Sequence, residues 1–311
     1  MANVITVRVK ADNPKIFAEK FLTAFTDKEI EEENNITDSG DEISKRVDFN
    51  ILLPQPADLQ IESGGGSYQD ENNYYEFQKV KVQAQKELIT PLLEQTYKEG
   101  MTQEEYVNLT LPRANGVHKI KFMSVYGIPT AMSDEEMEKE ITTVLQGFYN
   151  LKTYGAVDWY EWRIKNWGTK WNAQTTYVDE EKGFAEFTTA WSCPFEILEE
   201  LAKYTDIVVS YTDEDMGSNY GVYTIKDGVM EYLIESENYQ ALNGTEKVQA
   251  LATATALTQG EVYDLNEEIF GCWDDEEMQE HFGLTREIAL EVANQAVKDT
   301  QEIVNATGLN S

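Results

Sequence analysis

The first sixty residues alternate between strand and helix patterns. Residues 3–10 place Ile5, Val7 and Val9 on one face and mainly polar side chains on the other, as in a strand buried on one side. Asp12-Asn13-Pro14 then predicts a helix start, and the apolar stripe of this helix extends to Phe25. Residues 45–53 predict a second strand. The order strand, helix, strand indicates the first half of an α+β unit.

A mainly helical block follows between residues 59 and 154. Apolar side chains recur at intervals of three and four between Phe77 and Leu92, which predicts an amphipathic helix. The spacing of Ser or Thr three residues before Glu marks capping boxes at 102–105 and 133–136, and each predicts a further helix start. We therefore predict a helical insertion between the two halves of a sheet domain.

The sheet pattern returns after residue 173 and gives way to helices after Tyr239. Residues 173–178 and 184–191 predict a β-hairpin. A helix beginning at Ser192-Cys193-Pro194 and strands over 207–211 and 220–225 complete the predicted sheet domain. The following predicted helices span 245–257, 262–273 and 285–307. The last helix carries two apolar stripes, which fit either core packing or contact with a partner or a second copy.

Five of the six tryptophans lie within Asp158–Trp191. The spacing of the first two indicates one face of a helix, and Asn166 to Thr169 predicts a turn in which Gly168 supplies backbone freedom. We interpret the stretch as a structural core where helix, turn and hairpin meet the sheet, formed by Trp159, Trp162, Asn166, Trp167, Gly168, Trp171 and Trp191. The alternative is an aromatic platform for a base or a sugar, which requires several exposed rings.

The charge of the chain is strongly negative. Asp and Glu number 57 against 25 Lys and Arg, which gives a net charge of −32. This balance argues against direct binding to nucleic acid or to an anionic membrane. It permits carboxylates to mimic nucleic acid on a basic protein surface, although solubility is a simpler explanation. The candidate partner-binding residues are the acids Asp213, Glu214, Asp215, Asp274, Asp275, Glu276 and Glu277.

Residues suited to catalysis or metal binding are few. Two cysteines and two histidines almost exclude a structural zinc site of the usual type. The sequence contains no phosphate-binding loop, dinucleotide fingerprint, nucleophile elbow or zinc-protease motif. Asp158, Glu161 and Glu186 could form the carboxylate pair of a hydrolase, but such proximity is expected by chance among so many acids. We predict no catalytic residues, no metal and no cofactor.

Several segments form a recurring set of motifs: 159–162 and 166–172 around the tryptophans, then 187–192 and 211–217, and an earlier segment at 47–56. Together they resemble the YubB-type ferredoxin-like domain family of plasmids, prophages and phages. Val4 and Cys193 depart from residues common in the family. The resemblance implies a split ferredoxin-like antiparallel sheet and a mobile-element origin. It supplies no catalytic residue and no iron–sulfur cluster, since two cysteines cannot provide four thiolate ligands.

These observations predict an α+β protein with a ferredoxin-like antiparallel sheet, a helical insertion and a helical C-terminal extension. The expected domains are 1–58 with 155–235, the insertion 59–154 and the C-terminal region 236–311. The N-terminus lacks a signal-peptide pattern and no apolar run is long enough to span a membrane, so we expect a soluble protein of the bacterial host cytoplasm.

The function expected from the sequence is that of a non-enzymatic accessory protein. It would bind and inhibit a host protein, such as an anti-phage defence or restriction nuclease, through its acidic surface. The alternatives are a carboxylate-dependent hydrolase or nucleic-acid-processing enzyme, and a structural or assembly protein that forms homo-oligomers.

Overall fold

A computed structural model describes residues 4–27, 30, 44–61, 91–115, 133–213, 220–234, 241–259, 270 and 274–307. Its strands are β1 Val4–Ala11, β2 Leu22–Ala24, β3 Lys45–Val47, β4 Gln174–Asp179, β5 Phe184–Ala190, β6 Ile207–Asp213, β7 Tyr220–Lys226 and β8 Val229–Ile234. Its helices are α1 Pro14–Phe21, α2 Phe49–Leu52, α3 Gln103–Asn115, α4 Asp134–Tyr154, α5 Trp159–Trp167, α6 Phe195–Ala202, α7 Gly244–Gln259, α8 Asp275–Phe282 and α9 Arg286–Thr307. A 3-10 turn spans Ala57–Leu59 and a helical segment covers 91–96.

The chain divides into two compact units. A sheet unit comprises Met1–Leu53 and Trp167–Ser311, and an insertion unit comprises Pro54–Asn166. The second boundary falls inside α5, between Asn166 and Trp167. The sequence pattern placed the insertion at 59–154, and it grouped the C-terminal helices as a region of their own.

The sheet unit contains a six-stranded antiparallel sheet with the order β4-β5-β1-β6-β7-β8. The alternation expected for β1 is confirmed, because Ile5, Val7 and Val9 are fully buried. Their face of the sheet packs against α1, α2 and α6. Phe187 of β5 contacts the rings of Phe21 and Phe49, at centroid distances of 6.1 and 5.9 Å. An aromatic core therefore joins the sheet to its first helices.

The C-terminal helices α7 to α9 pack on the opposite face of the sheet. Tyr220 and Val222 of β7 belong to their apolar cluster, whereas Tyr223 points to the other face by strand alternation. The Tyr220 hydroxyl donates a hydrogen bond of 3.1 Å to the Ala250 carbonyl of α7. Members of both apolar stripes of α9 pack in this cluster, Ala296 from one stripe and Ala293 and Val297 from the other.

The insertion unit has a separate helical core. Both predicted capping boxes are present: in each, the side chain of Thr102 or Ser133 and a Glu side chain three residues later exchange hydrogen bonds with backbone amides. The buried face of α4 packs against α3 and the 91–96 segment, and this cluster includes Leu93, Tyr106, Ile141, Leu145 and Phe148. The helical character predicted for the insertion is confirmed in its described residues.

Two strand and helix predictions are wrong, and one strand was not predicted. The strand expected over 45–53 ends at Val47, because the Asp48 side chain accepts a hydrogen bond from the Asn50 amide and caps α2. The first helix ends at Phe21 and the chain continues as β2, which pairs with β3. β8 was not predicted, although Asp227 and Gly228 both adopt positive φ and form the tight turn that closes the β7–β8 hairpin. The helices predicted from 77 to 92 and over 262–273 lie almost wholly outside the described residues.

Candidate partner-binding surface

The tryptophan stretch divides into buried and exposed side chains. Trp162 and Trp167 are buried and Trp159 is half-buried, whereas Trp171 and Trp191 are 47% and 57% exposed. The prediction that these five indoles form a core is therefore wrong for Trp171 and Trp191. Among the described residues, these two are the exposed tryptophans.

Trp167 is the core residue of the stretch. Its Nε1 donates a hydrogen bond of 3.0 Å to the Leu53 carbonyl, and its ring meets Phe49 edge-on at 5.7 Å. A buried indole with its N–H satisfied and an aromatic neighbour is a strong packing element. Trp167 is therefore part of the aromatic core of the sheet unit.

Trp159, Trp162 and Asn166 have structural roles in the insertion unit. The Asn166 amide donates a hydrogen bond of 2.8 Å to the Trp162 carbonyl, one turn earlier in α5. The guanidinium of Arg163 lies 4.9 Å from the centre of the Trp159 ring, and its Nε donates to Gln55 at 2.6 Å. These contacts hold α5 within the unit and leave little of its indole surface for a ligand.

The carboxylates considered for hydrolysis have other tasks. Asp158 accepts hydrogen bonds from the Tyr160 and Glu161 amides, and Glu161 accepts one from the Val157 amide, so both cap the start of α5. Burial raises the pKa of Asp158, and the hydrogen bonds from the two amides partly oppose that rise. Glu186 belongs to the sheet unit, where it forms an ion pair with Arg8. Each of these three carboxylates therefore has a structural contact of its own.

Trp171 and Trp191 stand on two loops that are joined by side-chain hydrogen bonds. The Thr169 hydroxyl donates to the Ala190 carbonyl at 2.9 Å, and the Ser192 hydroxyl donates to the Gly168 carbonyl at 2.5 Å. Because these bonds cross from one loop to the other, the loops are held together beside the ends of β4 and β5. We call Lys170, Trp171 and Trp191 the WW surface.

The backbone of Trp191 is in the left-handed region, with φ of +75°. A bulky residue in this region is uncommon, because its Cβ crowds the backbone. Strained backbone of this kind concentrates at functional sites. The fold therefore presents a large apolar ring to solvent from a position that glycine would occupy with less strain.

Gly168 allows the first loop to lie close to α6. Its φ is +78°, and a Cβ at this position would come within 1.9 Å of a carboxylate oxygen of Glu196. Glu196 is exposed in the first turn of α6. The loop that carries Trp171 thus has a carboxylate packed against it.

The ring of Trp171 is in contact with a cation. The Lys170 ammonium lies 4.5 Å from the centre of the Trp171 ring, within the range of a cation–π interaction. The WW surface therefore combines two exposed indoles with a lysine on one of them, and the Glu196 carboxylate lies against Gly168 on the loop that carries Trp171. Lys170 and Glu196 were absent from the sequence-based candidates, and only the adjacency of Lys170 to Trp171 could have suggested the first.

The acidic residues predicted to bind a partner occupy different environments. Asp213 ends β6 and is buried, so it presents no carboxylate at the surface. Glu214 and Asp215 lie outside the described residues. Asp274 and Glu277 form a capping box at the start of α8, and Asp275 and Glu276 fill the first turn, where negative charge stabilises a helix. These four acids are exposed, but local helix stability accounts for their type and spacing.

The described residues offer no arrangement typical of a metal or reactive thiol. No group of three or more His, Cys, Asp or Glu side chains is placed to hold a metal ion in the part of the chain that the structure describes. Cys193 is buried against the Tyr223 hydroxyl at 3.8 Å, and burial raises the pKa of its thiol. Within the same residues, no helix combines the length and apolarity needed to cross a membrane.

Comparison with known families identifies one segment of the chain. Residues 166–253 match the family model described as the ferredoxin-like domain in Api92-like protein. This segment covers less than a third of the chain and contains β4 to β8, α6 and both exposed tryptophans. Searches of curated proteins and of solved structures gave no match. The family match and the six-stranded antiparallel sheet confirm the predicted α+β, ferredoxin-like fold class.

Proposed function

We propose that this chain is a non-enzymatic accessory protein, encoded by a phage or plasmid, that binds and inhibits a basic protein of the bacterial host. The partner class is a nucleic-acid-handling protein, such as a defence or restriction nuclease. The WW surface is the anchor of the contact, and the acidic charge of the chain guides the encounter in the host cytoplasm. The observation that carries this proposal is the exposure of Trp171 and Trp191 on two loops that hydrogen bonds hold together.

The exposure of the two indoles supports a protein partner. Trp is enriched among the few interface residues that dominate binding energy, because it buries a large rigid area at small entropic cost. The hydrogen bonds from Thr169 and Ser192 hold both loops before a partner arrives. Such preorganisation lowers the ordering cost of binding.

The net charge supports a basic partner. A chain of charge −32 repels phosphate backbones and attracts surfaces rich in Lys and Arg. Opposite charge on the two partners raises the association rate and selects among partners, while buried anchor residues supply most of the affinity. The acids and the WW surface therefore have complementary parts in the proposed interaction.

The roles of the candidate catalytic carboxylates favour binding over hydrolysis. Asp158 and Glu161 stabilise the start of α5, and Glu186 forms an ion pair with Arg8. These contacts explain the carboxylates near the tryptophans without a reaction.

Affinity capture from a bacterial lysate with purified variants tests the proposal. The comparison uses the wild type, the double variant Trp171→Ala/Trp191→Ala, and Tyr204→Ala as a control that removes an equally exposed aromatic ring elsewhere on the sheet unit. Each capture is repeated at about 0.1 M and about 0.5 M salt, and with excess double-stranded DNA, since salt screens charge steering and DNA competes for a basic surface. Circular dichroism establishes that each variant is folded.

The expected result is a host protein that the wild type and the Tyr204 variant capture and the double variant does not. DNA and high salt should both reduce the capture, and the captured protein should lose nucleic-acid binding or cleavage when the wild type is added. Capture that is unaffected by the two substitutions would refute the role of the WW surface. A mass measurement of the free protein shows whether the captured species is instead a second copy of the chain, which would favour an assembly role.

A further inference from the structure

We infer that the WW surface recognises a guanidinium group, so that an arginine side chain of the partner takes the place of the Lys170 ammonium on the Trp171 ring. This inference rests on the proposed function and specifies the chemistry of the partner residue. It depends on three observations in the sheet unit: the lysine on the Trp171 ring, the second exposed indole and the carboxylate of Glu196.

The Lys170–Trp171 contact identifies the ring face as a cation site. At 4.5 Å, the Lys170 ammonium already occupies the negative face of the indole. A lysine ammonium is a compact, strongly hydrated charge on a flexible stem. A guanidinium is more weakly hydrated and planar, and it stacks on aromatic rings better than an ammonium does. Arginine is therefore the natural competitor for this face.

Trp191 and Glu196 add to the selectivity for arginine. Trp191 stands on the adjoining loop and offers a second apolar surface for the side-chain stem. The Glu196 carboxylate lies against Gly168, three residues before Trp171, and is exposed to solvent. A carboxylate can accept two parallel hydrogen bonds from a guanidinium, which an ammonium cannot supply in the same geometry.

The same features disfavour a nucleobase as the stacked group. A nucleotide brings a phosphate, and both Glu196 and the net charge of −32 would repel it. The same negative charges attract a cationic side chain. Charge complementarity therefore selects arginine among the groups that stack on indole.

Titration with two synthetic peptides tests the inference on the full-length protein. The peptides are identical in length and charge, one with arginine and the other with lysine at every basic position, and binding is followed by fluorescence anisotropy of a labelled peptide. We expect the wild type to bind the arginine peptide several-fold more tightly than the lysine peptide, because a whole cation–π contact corresponds to about threefold to thirtyfold in affinity and lysine makes a weaker one. Trp171→Leu should remove most of this difference, because leucine keeps an apolar contact and loses the aromatic face, while the Glu196 carboxylate remains.

Removal of the internal cation provides a second readout. Lys170→Ala should strengthen binding of the arginine peptide by more than Lys15→Ala does, although the two substitutions change the net charge equally and Lys15 is exposed on α1. Equal affinities for the two peptides, or a Trp171→Leu variant that keeps the full arginine preference of the wild type, would overturn the inference. If capture of a host protein still depends on the two tryptophans in that case, the proposed function stands and only the arginine assignment fails.

Discussion

The left-handed backbone of Trp191 predicts an inverted order of stability for two substitutions at this position. Trp191→Ala and Trp191→Gly remove the same indole, so the loss of ring contacts cancels in the comparison. The variants differ in the Cβ atom, and at φ of +75° this atom is strained in alanine. The glycine variant should therefore be the more stable of the two.

The magnitude follows from two opposing terms. A non-glycine residue in the left-handed region costs about 1–2 kcal/mol. The larger backbone entropy that glycine has in the unfolded chain offsets this by about 0.5–1 kcal/mol. At the midpoints of these ranges the net advantage of Trp191→Gly over Trp191→Ala is about 0.75 kcal/mol, which corresponds to a Tm difference of about 2–3 °C for a unit of the size of the sheet unit.

Paired thermal denaturation under identical conditions measures this difference. The control is the same pair of substitutions at Gln174, an exposed residue at the start of β4, where alanine should be the more stable by about 0.5–1 kcal/mol because the backbone there is extended. An alanine variant at position 191 that melts with or above the glycine variant would contradict the strained conformation. Both position-191 variants should lose partner capture, which would separate the role of the ring from the strain of the backbone.

Two further predictions concern the tryptophan stretch. Trp167→Ala should lower the free energy of unfolding of the sheet unit by about 3–5 kcal/mol, whereas Trp171→Ala should lower it by about 1 kcal/mol or less, because only the Trp167 ring is buried. Urea unfolding measures both values, and similar losses in the two variants would contradict the burial of Trp167. Burial raises the pKa of Asp158, so the folded state binds the proton of this carboxyl group more tightly than the unfolded chain does. The protonated carboxyl group therefore adds to the stability of the folded state below about pH 4, and this stability is lost as the pH rises through the pKa of the folded state. Asp158→Asn keeps the helix cap and should reduce the fall in Tm above about pH 4. Asp158→Ala removes the cap, which should lower the free energy of unfolding by about 1 kcal/mol. A pH dependence of Tm that is unchanged in the asparagine variant would show that Asp158 is not its cause.

Local signals in the sequence determined most of the secondary structure. The alternation of β1, the two capping boxes of the insertion and the β4–β5 hairpin depend on neighbours a few residues apart, so they could be predicted without the fold. The Asp227-Gly228 pair carried the signal for the β7–β8 hairpin as well, since this dipeptide favours the turn that joins two antiparallel strands.

Long-range contacts decided the elements that the sequence pattern misassigned. Residues 45–53 have the composition of a strand, but the capping side chain of Asp48 is itself held by the Asn172 amide at 2.8 Å, and Asn172 also accepts the Phe49 amide. Asn172 lies more than one hundred residues away along the chain, so no local pattern could reveal that the strand stops at Val47.

Tertiary structure also decided which tryptophans are buried. Trp167 and Trp171 are four residues apart and would share one face of a continuous helix, but α5 ends at Trp167 and Gly168 turns the chain. The sequence by itself determined that large aromatic rings cluster between Asp158 and Trp191. Only the packing of the loops placed Trp167 against Phe49 and left Trp171 and Trp191 in solvent, because burial depends on surfaces that distant segments bring together.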